Sequence, residues 1–347
     1  MPAIQTIVTF LLVLSVLVLA HELGHFVVAK RAGIKVQEFG FGYPPRIFGV
    51  RIGETLYSIN LLPLGGFVKM LGENGSPTEP GSFSSKSKLT RAAVLIAGST
   101  MNLVLTPLLL SAALMVGEPV PCEECGRVQI YTVTPGSPAA EAGLRERDIF
   151  VSLDGRPIRQ LADVQQVVGN AGEREIPAVV LRDGQESALT LTPRTTPEGR
   201  PMIGIQLGPE IVTVQRPFWE AVPLGIQQTG MMLRTFFSGI VQMVAREVPA
   251  DLAGPVGIAQ MTGQAARAGW TYVLQFTAIL SLNLAVLNML PIPGLDGARL
   301  AFVIVEGIRG RRVNPQTEGV IHFIGLMLLL TLMVYVSVND VRRLIPS

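Results

Sequence analysis

The stretch LVLAHELGHFVVAK, residues 17–30, places two histidines and a glutamate at the end of a run that is otherwise apolar. None of the first twenty residues is charged, so the run suits the hydrocarbon core of a bilayer. An ionisable group inside a membrane is costly unless it has a partner or a function. His21, Glu22 and His25 therefore mark a candidate functional site within a candidate membrane helix.

The composition indicates a membrane protein. The chain has 347 residues, of which 48% are hydrophobic and 16% are charged, whereas soluble globular proteins have about 25% charged residues. Four long stretches lack Asp, Glu, Lys and Arg, namely residues 1–20, 92–117, 268–295 and 319–339. Each can supply the ~20 apolar residues that a bilayer-spanning helix needs. We therefore expect a multi-pass α-helical membrane protein with four transmembrane helices.

The distribution of basic residues predicts the orientation of the chain. Five lysines and four arginines, against four glutamates, lie between residues 30 and 91, and four more arginines follow the third span. By the positive-inside rule both connections face the cytoplasm, so the termini and residues 118–267 lie outside. Arg342 and Arg343 oppose this orientation. We expect a protein of the inner (plasma) membrane, with its site near the cytoplasmic side and no nucleic acid partner.

Residues 118–210 are predicted to form a soluble domain outside the membrane. Within it, residues 127–207 show the order β-α-β-α-β-β. The signals are the alternation in VQIYTV, a short helix capped by Ser137, an amphipathic helix in LADVQQVVGNAG, and a hairpin around Asp183-Gly184. The sequence therefore predicts a compact α+β domain inserted between the second and third spans.

The other boundaries follow from the uncharged stretches. An N-terminal membrane part, residues 1–117, holds the first two spans and the basic loop, and a C-terminal membrane part, residues 268–347, holds the other two. Residues 211–267 are apolar but interrupted by charges, which favours an interfacial amphipathic helix over a fifth span. The interrupting charges are Glu220, Arg234 and Arg246. A Gly/Pro-rich join is expected at residues 253–258.

The chain has two cysteines, Cys122 and Cys125, in the sequence CEEC. A structural zinc site generally needs four ligands, so this pair alone does not indicate one. A local disulfide and two free thiols both remain open.

His21, Glu22 and His25 form the pattern His-Glu-x-x-His. Side chains four residues apart on a helix project from one face, so both imidazoles can bind a single zinc ion. Glu22 is near enough to take a proton from a water on that ion. The competing interpretation is structural, with both histidines bonded to nearby carbonyls and Glu22 uncharged. Three ionisable side chains in a span that is otherwise uncharged favour the metal site over the structural interpretation.

A catalytic zinc site needs a third protein ligand and an open position. Asp296 is the first charged residue after 28 uncharged ones. Pro291 and Pro293 must end the preceding helix, which leaves Asp296 in an irregular stretch at the same predicted depth as His25. His322 is the other candidate ligand, but its span has little other polar character. We favour Asp296 and expect His322 to be a hydrogen-bonded residue at a helix start.

HELGH in the first span, together with NMLPIPGLDG at residues 288–297, resembles the site-2 protease family of intramembrane zinc metalloproteases. The similarity runs over essentially the whole chain and points to the bacterial branch. PGSPAAEAGLRERDIFVSLDGRPI, residues 135–158, resembles a single PDZ domain of that branch. The resemblance implies one Zn²⁺ with three protein ligands, and one catalytic base. These are His21, His25 and Asp296 for the metal and Glu22 for the base.

Two further features resemble substrate-binding parts of the family. ETLYSINLLPLGGFVKML, residues 54–71, resembles its membrane-associated β-hairpin. There, Gly65, Gly66 and Phe67 would present a strand edge to an unwound substrate. Asn288 matches the family asparagine thought to contact the substrate backbone. The alternatives are an ordinary cytoplasmic hairpin and hydrogen bonding between helices.

One segment departs from the family pattern. In AGSTMN, residues 97–102, Ser99 stands where relatives commonly have a proline before the asparagine. A kink at this point and a role for Asn102 therefore lack support from the resemblance.

The resemblance implies a zinc-dependent endopeptidase that cleaves transmembrane segments of single-pass proteins in regulated intramembrane proteolysis. An anti-sigma factor or a remnant signal peptide would be a typical substrate. The PDZ domain would bind a peptide or trimmed substrate end and exclude untrimmed substrates. The alternative is a non-catalytic, membrane-anchored PDZ scaffold. A transporter would need more polar residues in the second and fourth spans, and a peptidase of soluble peptides would not need a site at membrane depth.

Overall fold

The computed structural model describes residues 2–73, 79–195, 199, 201–245 and 254–344. The chain divides into two compact units, of which unit 1 is Met1–Val116 with Arg216–Ser347 and unit 2 is Gly117–Gln215. Within the described residues the elements follow this order: α1 (Pro2–Arg31), β1 (Val36–Ile52), β2 (Thr55–Met70), α2 (Lys88–Val116), β3 (Glu118–Pro121), β4 (Val128–Val133), α3 (Pro138–Glu141), β5 (Ile149–Leu153), β6 (Arg156–Pro157), α4 (Leu161–Ala171), β7 (Ile176–Arg182), β8 (Gln185–Leu191), β9 (Arg194–Thr195), β10 (Pro201–Met202), β11 (Ile205–Pro209), β12 (Ile211–Val214), α5 (Phe218–Val244), α6 (Pro255–Ala268), α7 (Trp270–Met289), α8 (Asp296–Arg309) and α9 (Pro315–Leu344).

Within the part of unit 1 that the structure describes, four helices are long and apolar enough to cross a membrane: α1, α2, α7 and α9. They coincide with the four uncharged stretches of the sequence, and α1 continues past its uncharged part to Arg31. The HELGH motif therefore lies inside a continuous helix. α2 is the central helix, since it packs against α1, α5, α7 and α8.

The helix α6 differs from the sequence-based expectation. Residues 253–258 were expected to be a Gly/Pro-rich join; residue 253 lies outside the described residues, and the helix begins at Pro255. Proline suits the first helical position because the N–H that it lacks has no partner there. α6 packs against α1 and α9, and its Gly257 N–H donates to Asp340 Oδ2 at 2.8 Å.

α5, Phe218–Val244, forms the first long helix of residues 211–267, the segment that was expected to form an interfacial helix. It packs against α2, where Gly225 faces Pro107 and Ser111 so closely that a side chain would overlap them. Glu220 and Arg234 lie within α5, while Arg246 falls outside the described residues. The location of α5 at a membrane surface stays a prediction.

β1 and β2 form an antiparallel sheet in unit 1, in which the first half of β1 lies between the two halves of β2. Phe39 is opposite Tyr57 on one side and Val68 on the other. Val50, in the second half of β1, is also opposite Tyr57. Residues 66–70 therefore form one edge of this sheet.

The structure differs from the expected hairpin at residues 54–71. That segment is essentially the single strand β2, and the chain turns back onto it from β1 at Gly53, whose φ of 61° suits a tight turn. The sequence does not predict β1, because Pro44 and Pro45 disfavour a strand. Association of this sheet with the membrane stays a prediction.

Unit 2 contains a sheet in the order β11-β4-β5-β7-β8, with β6 paired to β5. The predicted succession of strands and helices is confirmed by β4, α3, β5, α4, β7 and β8. Ser137 caps α3 by accepting a hydrogen bond from the N–H of Ala140. β11, which pairs with β4, was not predicted as part of the sheet. Cys122 and Cys125 form a disulfide, which decides between the two open alternatives.

Candidate metal centre

The first two candidate ligands lie on one face of α1, as their spacing predicts. The rings of His21 and His25 are 4.8 Å apart between centroids, and their Nε2 atoms are 3.2 Å apart. His25 Nδ1 is 2.7 Å from the carbonyl oxygen of Val94 on α2. Since that carbonyl only accepts, His25 carries its proton on Nδ1 and presents the lone pair of Nε2.

Asp296 brings the third donor to the same point. Its Oδ2 lies 3.0 Å from His21 Nε2 and 3.1 Å from His25 Nε2. The expectation of an irregular stretch is wrong at this residue, because Asp296 is the first residue of α8 and Leu295 precedes it as N-cap. The start of a helix is a favourable place for a carboxylate, since the helix dipole is positive there.

The three donor atoms have separations close to those around a tetrahedral zinc ion. Zn²⁺ binds nitrogen and oxygen at about 2.0–2.2 Å in tetrahedral geometry, which puts ligand atoms about 3.3–3.6 Å apart. The triangle formed by His21, His25 and Asp296 has edges of 3.0, 3.1 and 3.2 Å. Two imidazole nitrogens and one carboxylate oxygen are also a donor set that suits zinc. The residues therefore fit the metal.

Glycine 98 on α2 forms the wall behind the two imidazoles. A Cβ there would lie 2.7 Å from Cε1 and 2.8 Å from Nε2 of His21, and would overlap His25 Nε2. At Gly24 on α1 an added Cβ would overlap the backbone of Ala97. Only residues without a side chain let α1 and α2 approach this closely.

A cavity of about 420 Å³ opens beside the donor triangle. Glu22 lines it together with both histidines and Asp296, so a carboxylate stands next to the space above the donors. The remaining lining residues come from the sheet and the turn after it, from α2, from the segment around α8 and from α9: Tyr43, Phe67, Val68, Met70, Glu73, Leu95, Gly294, Leu295, Arg299, His322, Phe323 and Leu326.

The predicted substrate-binding residues lie at different distances from this cavity. Phe67 lines it, and the position of a Cβ on Gly66 is 3.3 Å from Cγ of Glu22. Gly65 packs under the ring of Tyr43. Asn288 is in the last turn of α7 and is not one of the residues that line the cavity.

His322 lines the cavity but lies outside the donor triangle. Its Nδ1 accepts a hydrogen bond from the N–H of Gly294 at 3.1 Å. Among the described residues, the metal-ligand cluster contains His21, His25 and Asp296 without it. This agrees with the expected hydrogen-bonded role, but the expected position at a helix start is wrong, because α9 begins at Pro315, seven residues before His322.

Charges around α8 were not anticipated from the sequence. Arg91 Nη2 and Glu306 Oε2 form a buried ion pair at 2.6 Å between α2 and α8. Burial by itself would lower the pKa of Arg299, but its ion pair with Glu73 outweighs this and raises the pKa. Both arginines fix α8, which begins with Asp296.

Comparison with known proteins identifies the family to which this chain is similar. The model of Peptidase family M50 matches residues 9–332. The regulator of sigma-W protease RasP of Bacillus subtilis is 30% identical over 426 aligned positions, covering 98% of this chain and 99% of the relative. The zinc metalloprotease RasP of Bacillus licheniformis is 30% identical, covering 98% and 99%. A Clostridium perfringens protein provisionally named as a zinc metalloprotease is 34% identical, covering 96% and 98%.

Two solved structures match part of this chain. The PDZ domain of an SdrC-like protein from Listeria monocytogenes is 18% identical, with 23% of this chain and 85% of that chain covered and a TM-score of 0.22. An HtrA-type protease with a bound decapeptide is 22% identical, covering 26% and 28%, with a TM-score of 0.20. At such TM-scores the fold of unit 2 has to be argued from its own strands and helices.

The family match contains every residue of the donor triangle as well as Glu22. It also contains the four apolar helices, apart from the ends of α1 and α9. This chain therefore belongs to peptidase family M50 and is an intramembrane zinc metalloprotease.

Proposed function

We propose that the protein is an endopeptidase that cleaves transmembrane segments of single-pass membrane proteins. The observation that carries this proposal is that Asp296 lies beside His21 and His25, which are inside a helix suited to the bilayer, next to a cavity lined by Glu22. A peptide bond in a membrane helix lacks water and has its carbonyl hydrogen-bonded. An enzyme that cuts there must provide both water and an unwound substrate.

The catalytic roles follow from the donor set. Zn²⁺ held by His21, His25 and Asp296 would lower the pKa of a bound water towards ~7 and polarise the scissile carbonyl. Glu22 would accept the proton of that water and later donate it to the leaving amine. The N–H of His25 that donates to Val94 would keep its ring oriented with Nε2 towards the metal.

The edge of the β1–β2 sheet is the proposed binding site for the unwound substrate. Residues 66–70 form an edge of this sheet and Phe67 and Val68 line the cavity. An extended substrate could add to this edge through main-chain hydrogen bonds, with Gly65 and Gly66 allowing its backbone to approach. Asn288 would contact the substrate backbone nearby.

Unit 2 is proposed to be an extracytoplasmic PDZ domain that binds a peptide or a trimmed substrate end. A cavity of about 630 Å³ lies between α4 and the strands β10 and β11, with an apolar lining that includes Val164, Val168, Met202, Ile203 and Ile205. Such a groove suits an apolar side chain of a peptide that adds to the strand. Untrimmed substrates would be excluded by size.

The proposed setting is the inner (plasma) membrane, with four spans, the zinc site near the cytoplasmic side and unit 2 outside. The basic residues between α1 and α2 and after α7 support this orientation. The reaction would be the second cut in regulated intramembrane proteolysis, on a protein such as an anti-sigma factor or a remnant signal peptide already trimmed outside.

Purified protein incubated with a single-span substrate tests the proposal. Cleavage is expected, and a zinc chelator should abolish it. Glu22→Gln should remove cleavage while zinc stays bound, whereas His21→Ala and Asp296→Ala should lose the metal itself. Glu54→Gln, at the exposed turn before β2, is the matched control and should behave as wild type. Full activity of the Glu22 variant, or cleavage insensitive to the chelator, would contradict the proposal.

A further inference from the structure

In the segment before Asp296, residues 290–295, one described backbone N–H donates a hydrogen bond to another element of the fold. Its two prolines lack an N–H, so four donors remain. Three donate to carbonyls no more than three residues away, from Leu290 to Leu287, from Ile292 to Leu290 and from Leu295 to Ile292. The fourth, the N–H of Gly294, donates to Nδ1 of His322 on α9. Among the described residues, His322 is therefore the one partner outside the segment and α7 for these N–H groups.

α9 packs onto the same segment around that hydrogen bond. His322, Gly325 and Leu326 lie on one face of α9, since they are three and four residues apart. A Cβ on Gly325 would overlap the ring and the carbonyl of Pro293. At Gly294, whose φ is 101°, a Cβ would lie 3.4 Å from the backbone nitrogen of Leu326. The segment is thus in close contact with the turn of α9 that follows His322.

The hydrogen bond fixes how His322 uses its two nitrogens. Because an N–H donates to Nδ1, that nitrogen carries a lone pair and the ring proton lies on Nε2. Nε2 is buried, lies 3.9 Å from Glu318 Oε1, and has no hydrogen-bond partner within the described part of the chain. The acceptor function of Nδ1 is therefore the polar contact that His322 offers to the site, beside the edge-on packing of its ring against Phe302 of α8.

We propose that His322 is a positioning residue for Asp296. By holding the N–H of Gly294, two residues before Asp296, its imidazole fixes where α8 begins and so where Oδ2 of Asp296 meets the two histidines. The proposal rests on the proposed function, since it takes Asp296 to be a zinc ligand. Loss of the hydrogen bond should weaken zinc binding about 10–100-fold, as for other residues that orient metal ligands.

Three substitutions separate the acceptor from the bulk of the ring. In His322→Asn, Oδ1 can occupy the place of Nδ1; in His322→Gln the amide reaches only the place of Nε2; and His322→Leu has no acceptor. Full-length variants in detergent are titrated with Zn²⁺ against a chromophoric chelator, and the absorption of Co²⁺-loaded protein reports coordination geometry. H322N should keep wild-type affinity and spectrum, while H322Q and H322L should bind about 10–100-fold more weakly.

Wild-type zinc affinity in H322L, or an equal loss of zinc affinity in H322N and H322Q, would overturn the proposal. The comparison of H322N with H322Q tests it even if H322L does not fold. Asp296→Ala is measured alongside. If it keeps zinc, the ligand assignment fails and this proposal with it; if it loses zinc while H322Q and H322L keep it, the positioning role alone fails. Thr331→Val is the matched control, because Thr331 Oγ1 bonds only to the Met327 carbonyl of its own helix, at 2.8 Å. Its zinc affinity should stay unchanged, and a loss equal to that of H322L would overturn the proposal.

Discussion

Replacing Gly98 with alanine should weaken zinc binding although no donor atom is changed. The new Cβ would stand 2.7 Å from Cε1 of His21, whereas ordinary contact begins at 3.4 Å. The ring or the helix must therefore retreat by about 0.7 Å (3.4 − 2.7 Å). Metal–ligand distances tolerate only about ±0.2 Å. The required movement is several times that tolerance.

The expected loss in the Gly98 variant is about 10–100-fold in zinc affinity, and a comparable loss in cleavage rate. A displacement of about 1 Å at a reacting group costs about 100-fold in rate. The effect on stability should be smaller, because overpacking costs about 1–3 kcal/mol while alanine favours a helix over glycine by about 0.5–1 kcal/mol. The two effects on stability partly cancel and leave about 0–2.5 kcal/mol, whereas a 10–100-fold loss of zinc affinity corresponds to about 1.4–2.8 kcal/mol.

The assay for the Gly98 variant is zinc content by elemental analysis, followed by competition with a chelator of known affinity. Gly239→Ala in α5 is the matched control, because among the described residues no atom outside the adjacent backbone of α5 lies within 4 Å of a Cβ at that position. It makes the same chemical change in a helix without touching the imidazoles. If the Gly98 variant binds zinc as tightly as the Gly239 variant does, the inference that a side chain at residue 98 displaces the two imidazoles is refuted.

Two further predictions concern charged groups away from the metal. Glu306→Ala leaves the buried Arg91 guanidinium without its carboxylate and should lower the free energy of unfolding by about 3–5 kcal/mol. The double change Arg91→Met with Glu306→Leu should lower it less. Denaturation in detergent that gave the opposite order of stability would contradict this. Backbone N–H groups of Arg159 and Gln160 hold the pKa of Asp163 below its ordinary value, so its contribution to stability is present above about pH 4 and lost as the pH falls through the folded pKa. The difference in α4 amide protection between wild type and Asp163→Asn should therefore close in acid, and a gap that persists there would count against the assignment.

Local signals in the sequence predicted much of the fold. The four uncharged stretches became the four long apolar helices, and Ser137 caps α3 as its position before Pro138 suggests. The two histidines share a face because helical periodicity is a property of the segment alone. Asp296 was predicted from its place as the first charge after a long apolar run, and it does lie beside both histidines. Its role as a ligand stays a prediction.

Secondary structure was predicted wrongly from local composition where tertiary contacts determine it. Residues 255–258 have the glycine and proline content of a connection, yet α6 forms because α1 and α9 give it surfaces to pack on. Asp296 was expected in an irregular stretch because two prolines precede it, but the chain resumes a helix at the first residue that can cap its dipole. β1 contains Pro44 and Pro45, so its pairing with both halves of β2 has no local signature.

The residues that set the separation of the three donors are harder to predict than the donors. Gly98 belongs to a run of small residues, which predicts a close helix contact but not that two imidazoles fill it. His322 has the chemistry of a metal ligand, and only the position of its Nδ1 beside Gly294 distinguishes the two roles. A metal ligand can be recognised from its residue type, because the side chain itself supplies the donor atom. A residue that fixes a distance to within tenths of an ångström acts instead through contacts between segments that are distant in the sequence. For that reason, motifs identify the former and only the folded structure identifies the latter.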